Sequence, residues 1–215
     1  GMKILFKNNL PKSNFFIKKT ILITAGGTGG HIFPAECLAS EFNKIGWSVI
    51  FISDKRGSRF IKNFPPDIKI FIQDVVSINF RNPFKLLLSI YMLLKGFFYS
   101  SYLLISHKPC VVVGFGGYPT FPTILAAKIF HFKIVLHEGN AVLGRVNKFF
   151  ARKANAVACG FWPTIAPNGS NLFFTGNPLR NNLLSKKNKL FKLPRNGKLN
   201  LVVVGGSQGA NFFSK

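Results

Sequence analysis

A chain of 215 residues has room for one ordinary domain and part of another, since a single core serves about 100 to 200 residues. Its hydrophobic fraction of 47%, with 25 Phe, excludes a disordered chain. The 29 Lys and Arg against six acids suit a surface for polyanions, anionic lipid or phosphorylated ligands, yet a genome biased toward Lys, Asn, Ile and Phe gives the same excess, so charge alone names no partner.

Residues 1–18 read as an N-terminal extension, in which Lys3, Lys7, Pro11, Lys12 and Lys18 interrupt any apolar stretch of signal-peptide length. From Thr20 the pattern strand, Gly-rich turn, helix repeats, which predicts an α/β domain over 19–178 with a parallel sheet covered on both faces. Strands are expected near 20–25, 48–52, 68–72, 110–113, 132–136, 155–158, 172–175 and 199–204. The runs Ile21-Leu22-Ile23, Val111-Val112-Val113 and Leu201-Val202-Val203-Val204 are continuous rather than alternating, as in strands buried on both faces. Helices are expected from Pro34 to Lys44, from Pro119 to Phe130 and from Leu143 to Lys153.

Between the third and fourth strands, Leu86 to Ser106 carries only Lys95 as a charge and is long enough to span a bilayer. A span would put strands of one sheet on opposite sides of the membrane. The sequence therefore predicts a helix half buried in protein and half exposed, with Leu87, Tyr91, Leu94, Phe97, Phe98 and Tyr102 flanked by Lys85, Lys95 and Lys108. That combination suits a monotopic contact with an anionic membrane surface.

Residues 179–198 are polar and rich in breakers and read as an interdomain linker. Residues 199–215 supply one strand, one Gly loop and the first turn of a helix, the expected start of a second, truncated α/β domain. Cys37, Cys110 and Cys159 form no C-x-x-C pair or zinc-spaced cluster and read as reduced thiols. His107, His131 and His137 read as surface or core residues.

Three turns share one construction: Gly26-Gly27-Thr28-Gly29-Gly30-His31, Gly114-Phe115-Gly116-Gly117-Tyr118 and Gly205-Gly206-Ser207-Gln208-Gly209. Each lies between an apolar strand and a helix, where free N–H groups at a helix start favour phosphate or pyrophosphate. None fits G-x-x-x-x-G-K-[ST] or G-x-G-x-x-G, which excludes a P-loop nucleotidase and makes an ordinary dinucleotide enzyme the minority reading. No D-x-D pair stands at a strand end, so the expected chemistry is metal-free and needs no cofactor.

Ala25-Gly26-Gly27-Thr28-Gly29-Gly30-His31-Ile32-Phe33-Pro34-Ala35 resembles the first Gly loop of the MurG family of peptidoglycan N-acetylglucosaminyltransferases. Gly114 to Pro119 is similar to its second loop, His137-Glu138-Gly139-Asn140 to its H-E-Q-N segment, Thr175 to Arg180 to its G-N-P-[VI]-R, and Gly205 to Ala210 to its G-G-S-Q-G-A. The five matches run in order across residues 20–210, and the departure is Gly139 where the family usually has Gln.

The resemblance implies an inverting GT-B enzyme with two Rossmann-like domains facing a cleft, lipid I bound by the first and UDP-N-acetylglucosamine mainly by the second, giving lipid II. It implies a peripheral place on the cytoplasmic face of the inner membrane and no nucleic-acid partner. His31 is the candidate base, the alternative being a helix cap or a ligand to the acceptor pyrophosphate. Thr28, Gly29, Gly30, Gly116 and Gly117 would hold the acceptor, with Tyr118 either a contact or a packing residue. Asn140 and Arg180 would reach the donor, and Ser207 and Gln208 would hold the departing UDP. Alternatives remain: a helix cap for Asn140, a solvated linker charge for Arg180 and a helix start for Ser207. The whole activity would need the remainder of the second domain, in the same chain or as a separately encoded C-terminal half. Two rivals stand beside this reading: a non-catalytic membrane module that binds pyrophosphate lipids, and another Rossmann-like nucleotide enzyme.

Overall fold

The computed structural model describes residues 18–61, 64–75 and 82–180. Seven strands form one wholly parallel sheet in the order β3-β2-β1-β4-β5-β6-β7: β1 Thr20–Thr24, β2 Ser48–Asp54, β3 Lys69–Gln73, β4 Val111–Gly114, β5 Ile134–Glu138, β6 Ala156–Cys159 and β7 Leu172–Phe174. The helices are α1 Gly29–Lys44, α2 Pro83–His107, α3 Phe121–Ile129 and α4 Arg145–Phe150. The linker from residue 181, the expected strand at 199–204 and the third Gly loop with Ser207 and Gln208 lie outside the described residues.

The sheet is buried on both faces because its central strands carry no polar alternation. Ile21 and Ile23 of β1 pack with Ile32, Ala35 and Ala39 of α1 on one face. Leu22 between them joins Leu103 and Leu104 of α2 and Ile124 of α3 on the other. Strand order reverses between β1 and β4, which pair directly from Ile21–Val111 to Thr24–Gly114. The crevice beyond the carboxyl ends of these two strands is where open α/β sheets bind ligands.

α1 begins at Gly29, five residues before the expected start at Pro34. The carbonyl of Thr28 accepts from both His31 and Ile32 and nucleates the first turn. Pro34 then sits inside the helix, where its missing N–H removes only one bond. α4 is shorter than expected because its approach is tied down: Leu143 N donates to the Ile165 carbonyl and Gly144 N to the Glu138 carboxylate. The segment expected to contact a membrane is α2, capped by Asn82 Oδ1 at its start. Strands before and after α2 share one sheet, so it is a crossover helix rather than a divider. Its inner face is small and polar, with Ser89, Gly96, Ser100 and Ser101 buried, and Gly96 lets Pro122 of α3 approach closely.

Candidate functional site

A cavity of about 520 Å³ opens at the switch point, above the ends of β1, β4 and β5. Thr28, Gly29, Gly30 and His31 line it from the start of α1, Phe115 and His137 form its floor side, and Asn140 and Arg180 close it from the later loops. Six of the residues expected from sequence thus share one space. Gly116, Gly117 and Tyr118 stand behind it instead.

The two Gly turns are built against each other. A Cβ on Gly26 would meet the Pro119 ring at 2.6 Å, and one on Gly117 would lie 3.3 Å from His31 Nδ1. Gly116 and Gly117 have φ of 82° and 83°, a region side chains rarely enter. These glycines therefore bring the second turn under His31 rather than onto the cavity wall. The Tyr118 hydroxyl is buried without a hydrogen-bond partner among the described residues, and burial pushes its phenol pKa up.

His31 Nδ1 lies 3.2 Å from the Gly26 carbonyl and 3.3 Å from Thr28 Oγ1. A carbonyl can only accept, so the bond to Gly26 puts the proton on Nδ1 and leaves the lone pair on Nε2. Burial lowers the imidazole pKa, partly offset by the Gly26 bond and the Glu138 charge. The result is a neutral imidazole with a free basic nitrogen at the mouth of a helix. That helix has no acidic residue in its first turn, so its N–H groups and dipole are left for an anion.

Two buried carboxylates hold the loops. Asp54 Oδ1 accepts from Gly27 N at 2.9 Å and Gly57 N at 3.0 Å, while Oδ2 accepts from Arg56 Nε at 3.1 Å. A dinucleotide enzyme uses an acid at about this distance beyond its Gly turn to take a ribose. Here Asp54 is 3% exposed and fully committed to the protein, which counts against that rival. Glu138 Oε1 accepts from Asn140 N and Nδ2, and Oε2 accepts from Gly144 N and Asn147 Nδ2. Asn140 is thereby fixed at the cavity rim rather than capping a helix.

Arg180 is only partly exposed and is not a free linker charge. Its Nη2 donates to Glu36 Oε2 at 2.9 Å and its guanidinium stacks on Phe33 with 4.0 Å to the ring centroid. Its Nε is buried and has no hydrogen-bond partner among the described residues. His137, read from sequence as surface or core, is a core residue that also lines the cavity, ring to ring with Phe115 at 4.8 Å. Burial lowers its pKa as well. Its place at the end of β5, next to Glu138 and Asn140, was the signal that could have marked it. Asn177 was missed too: its amide covers Gly160, where a Cβ would collide with Oδ1, and reaches toward the Gly139 carbonyl. Gly139 itself lines the cavity with room for a side chain. Among the described residues, no group of three His, Cys, Asp or Glu could hold a metal ion.

The family described as glycosyltransferase family 28 N-terminal domain matches residues 21–159. The chain is 44% identical over 200 residues to the UDP-N-acetylglucosamine--N-acetylmuramyl-(pentapeptide) pyrophosphoryl-undecaprenol N-acetylglucosamine transferase of Chelativorans sp. (strain BNC1), covering 92% of this chain and 53% of the relative. The transferase of the same name from Rhizobium meliloti (strain 1021) is 44% identical over 205 residues with the same coverage of 92% and 53%. The chain thus spans about half the length of the curated relatives it matches. Among solved structures, Acinetobacter baumannii MurG superposes with a TM-score of 0.67 at 27% identity, over 89% of this chain and 53% of that one. Arabidopsis thaliana UGT89C1 complexed with quercetin shares the fold, with a TM-score of 0.54 at 12% identity over 75% of this chain and 51% of that one.

Proposed function

Because the chain belongs to glycosyltransferase family 28, whose N-terminal domain it contains, we propose that it forms the acceptor-binding half of a lipid I N-acetylglucosaminyltransferase. The observation that carries this reading is the cavity at the β1/β4 switch point, with a neutral His31 at its edge and the unneutralised start of α1 beside it. The relatives' printed names supply the substrates: UDP-N-acetylglucosamine as donor and the undecaprenyl-pyrophosphoryl N-acetylmuramyl pentapeptide as acceptor.

In this reading the acceptor diphosphate lies against the N–H groups of Gly29 and Gly30, where two negative charges meet a helix N-terminus. The C4 hydroxyl of the muramyl sugar then faces His31. Its oxygen attacks the anomeric carbon of the donor sugar, the bond from that carbon to the diphosphate breaks, and UDP leaves. His31 Nε2 takes the hydroxyl proton, a service worth about a hundred- to ten-thousandfold in rate. Asn140 and the Arg180 guanidinium contact the donor side, while Ser207 and Gln208 hold the departing UDP. α2 rests on the cytoplasmic face of the inner membrane, where the lipid acceptor resides.

The test is transfer of N-acetylglucosamine from UDP-N-acetylglucosamine to a short-chain lipid I analogue, by the chain alone and by the chain joined to the C-terminal half of a relative. Transfer by the joined protein, lost in His31→Ala, supports the reading. Absence of transfer combined with retained lipid binding would instead identify a non-catalytic module for pyrophosphate lipids. Transfer by the chain alone would overturn the assignment of the donor site to the second domain.

A further inference from the structure

Three polar side chains from three elements meet in the interior behind the second Gly turn: Gln73 at the end of β3, Ser100 in α2 and Thr123 in α3, with exposures of 4%, 0% and 0%. Ser100 Oγ donates to Gln73 Oε1 at 3.3 Å and shares a 2.9 Å hydrogen bond with Thr123 Oγ1. Gln73 Nε2 reaches Thr123 Oγ1 at 3.4 Å and donates to the Pro119 carbonyl at 2.8 Å. With Thr123 donating to Ser100, the three close a ring in which each donor has an acceptor. The second N–H of Gln73 is the bond that leaves the ring.

Buried polar groups cost free energy unless they are bonded, and apolar side chains of the same size would fill this space as well. What a satisfied network adds is a single arrangement of the elements it joins. Here the outgoing bond ends on Pro119, which follows Gly117 and Tyr118 and packs its ring on Gly26. The Gly26 carbonyl in turn holds His31 Nδ1. On the other side, Ser100 belongs to α2, whose outer face exposes Tyr91, Leu94, Phe98 and Tyr102.

We infer that Gln73 is a positioning residue: through the Pro119 carbonyl it holds the second Gly turn against Gly26 and beneath His31, and so sets the first Gly turn that receives the acceptor, while Ser100 and Thr123 lock this support to α2. The inference rests on the acceptor-binding reading above. It makes the two Gly turns and the lipid-facing helix one mechanical unit, so that the height of α2 on a membrane sets the height of the diphosphate site.

The experiment measures the affinity of the 215-residue chain for a short-chain lipid I analogue by calorimetry, alongside the thermal midpoint. Gln73→Met keeps the volume and removes every bond of the amide. Its affinity should fall by about threefold to tenfold, the effect of one or two mispositioned hydrogen bonds. Asn155→Ala, which breaks the bond from Ile134 N of β5 on the far half of the sheet, should lower the midpoint and leave the affinity unchanged. Gln73→Met binding as tightly as the wild type overturns the inference while leaving the acceptor reading intact. Wild-type chain that does not bind the analogue takes down both. Should Gln73→Met not fold, Ser100→Ala takes its place, with a loss of about twofold expected and an unchanged affinity overturning the assignment.

Discussion

A Cβ on Gly117 would lie 2.6 Å from the carbonyl oxygen of Gly26. The two Gly turns therefore touch backbone to backbone, and the same carbonyl orients His31. Gly117→Ala faces both a collision and a left-handed φ, and should cost on the order of 1–3 kcal/mol along with ligand binding. Gly46→Ala is the comparison, because Gly46 also has positive φ but nothing within 4 Å of its Cβ. Its cost should stay near about 1 kcal/mol. Equal losses in urea denaturation would show that the contact between the turns carries no weight.

The imidazoles of His31 and His137 are both held below their ordinary value, mainly by burial. A depressed pKa means that the unfolded chain binds protons first as pH falls. Stability should be full above the ordinary imidazole value of about 6.5 and decline as pH drops through the lower folded values. Denaturant midpoints at about pH 7.5 and about pH 5.5 read this directly. His137→Phe keeps a ring against Phe115 and removes one titrating group, so its drop between the two conditions should be smaller than that of the wild type. An identical drop would place the acid sensitivity elsewhere.

Glu36 and Arg180 form a lopsided pair, with side-chain exposures of 8% and 36%. Arg180→Ala leaves a carboxylate buried without its cation, whereas Glu36→Ala leaves a guanidinium that can turn to water. The first should therefore destabilise more, by about 1–3 kcal/mol against less than about 1 kcal/mol for the second. Thermal or urea unfolding of the two variants decides the order. The reverse order would mean that the buried carboxylate of Glu36 does not depend on Arg180.

The parallel sheet was legible because its strands are continuous apolar runs, and the seven described strands fall within two residues of the expected positions. Helix starts were less legible, since Gly29 and Gly30 look like loop and Pro34 like a beginning. Local spacing carries no sign of Thr28 nucleating a turn through its carbonyl. Of the site, the residues contributed by the first Gly loop and the segment after β5 were readable as motifs. The partnership of Arg180 with Glu36 joins positions 144 residues apart, and no local pattern announces it. The carboxylates of Asp54 and Glu138 were likewise visible as acids but not as the clamps on Gly27 and Asn140. Such roles depend on which loops the sheet order brings together.

α2 presents an apolar stripe with little among the described residues to cover it: Phe84 is 83% exposed, Leu87 69%, Tyr91 60%, Leu94 49%, Phe98 66% and Tyr102 66%. These positions recur at three- and four-residue intervals and so share one helix face. The helix is also the one described element long and apolar enough to cross a membrane by length and composition, yet its Ser100 and Leu104 side is sealed against the domain. A helix fixed on one side can bury only its outer side chains in lipid, which is the geometry of a peripheral contact. Lys85 and Lys95 add charge, each worth on the order of 1 kcal/mol near anionic lipid at ordinary salt. Leu94→Glu with Phe98→Glu should therefore abolish sedimentation with vesicles containing anionic lipid and leave the thermal midpoint unchanged, because neither side chain is buried. Lys85→Gln with Lys95→Gln should weaken binding on the order of tenfold or more at low salt and much less at high salt, where screening has already removed the electrostatic part. Vesicle binding that survives both pairs of substitutions would move the contact off α2.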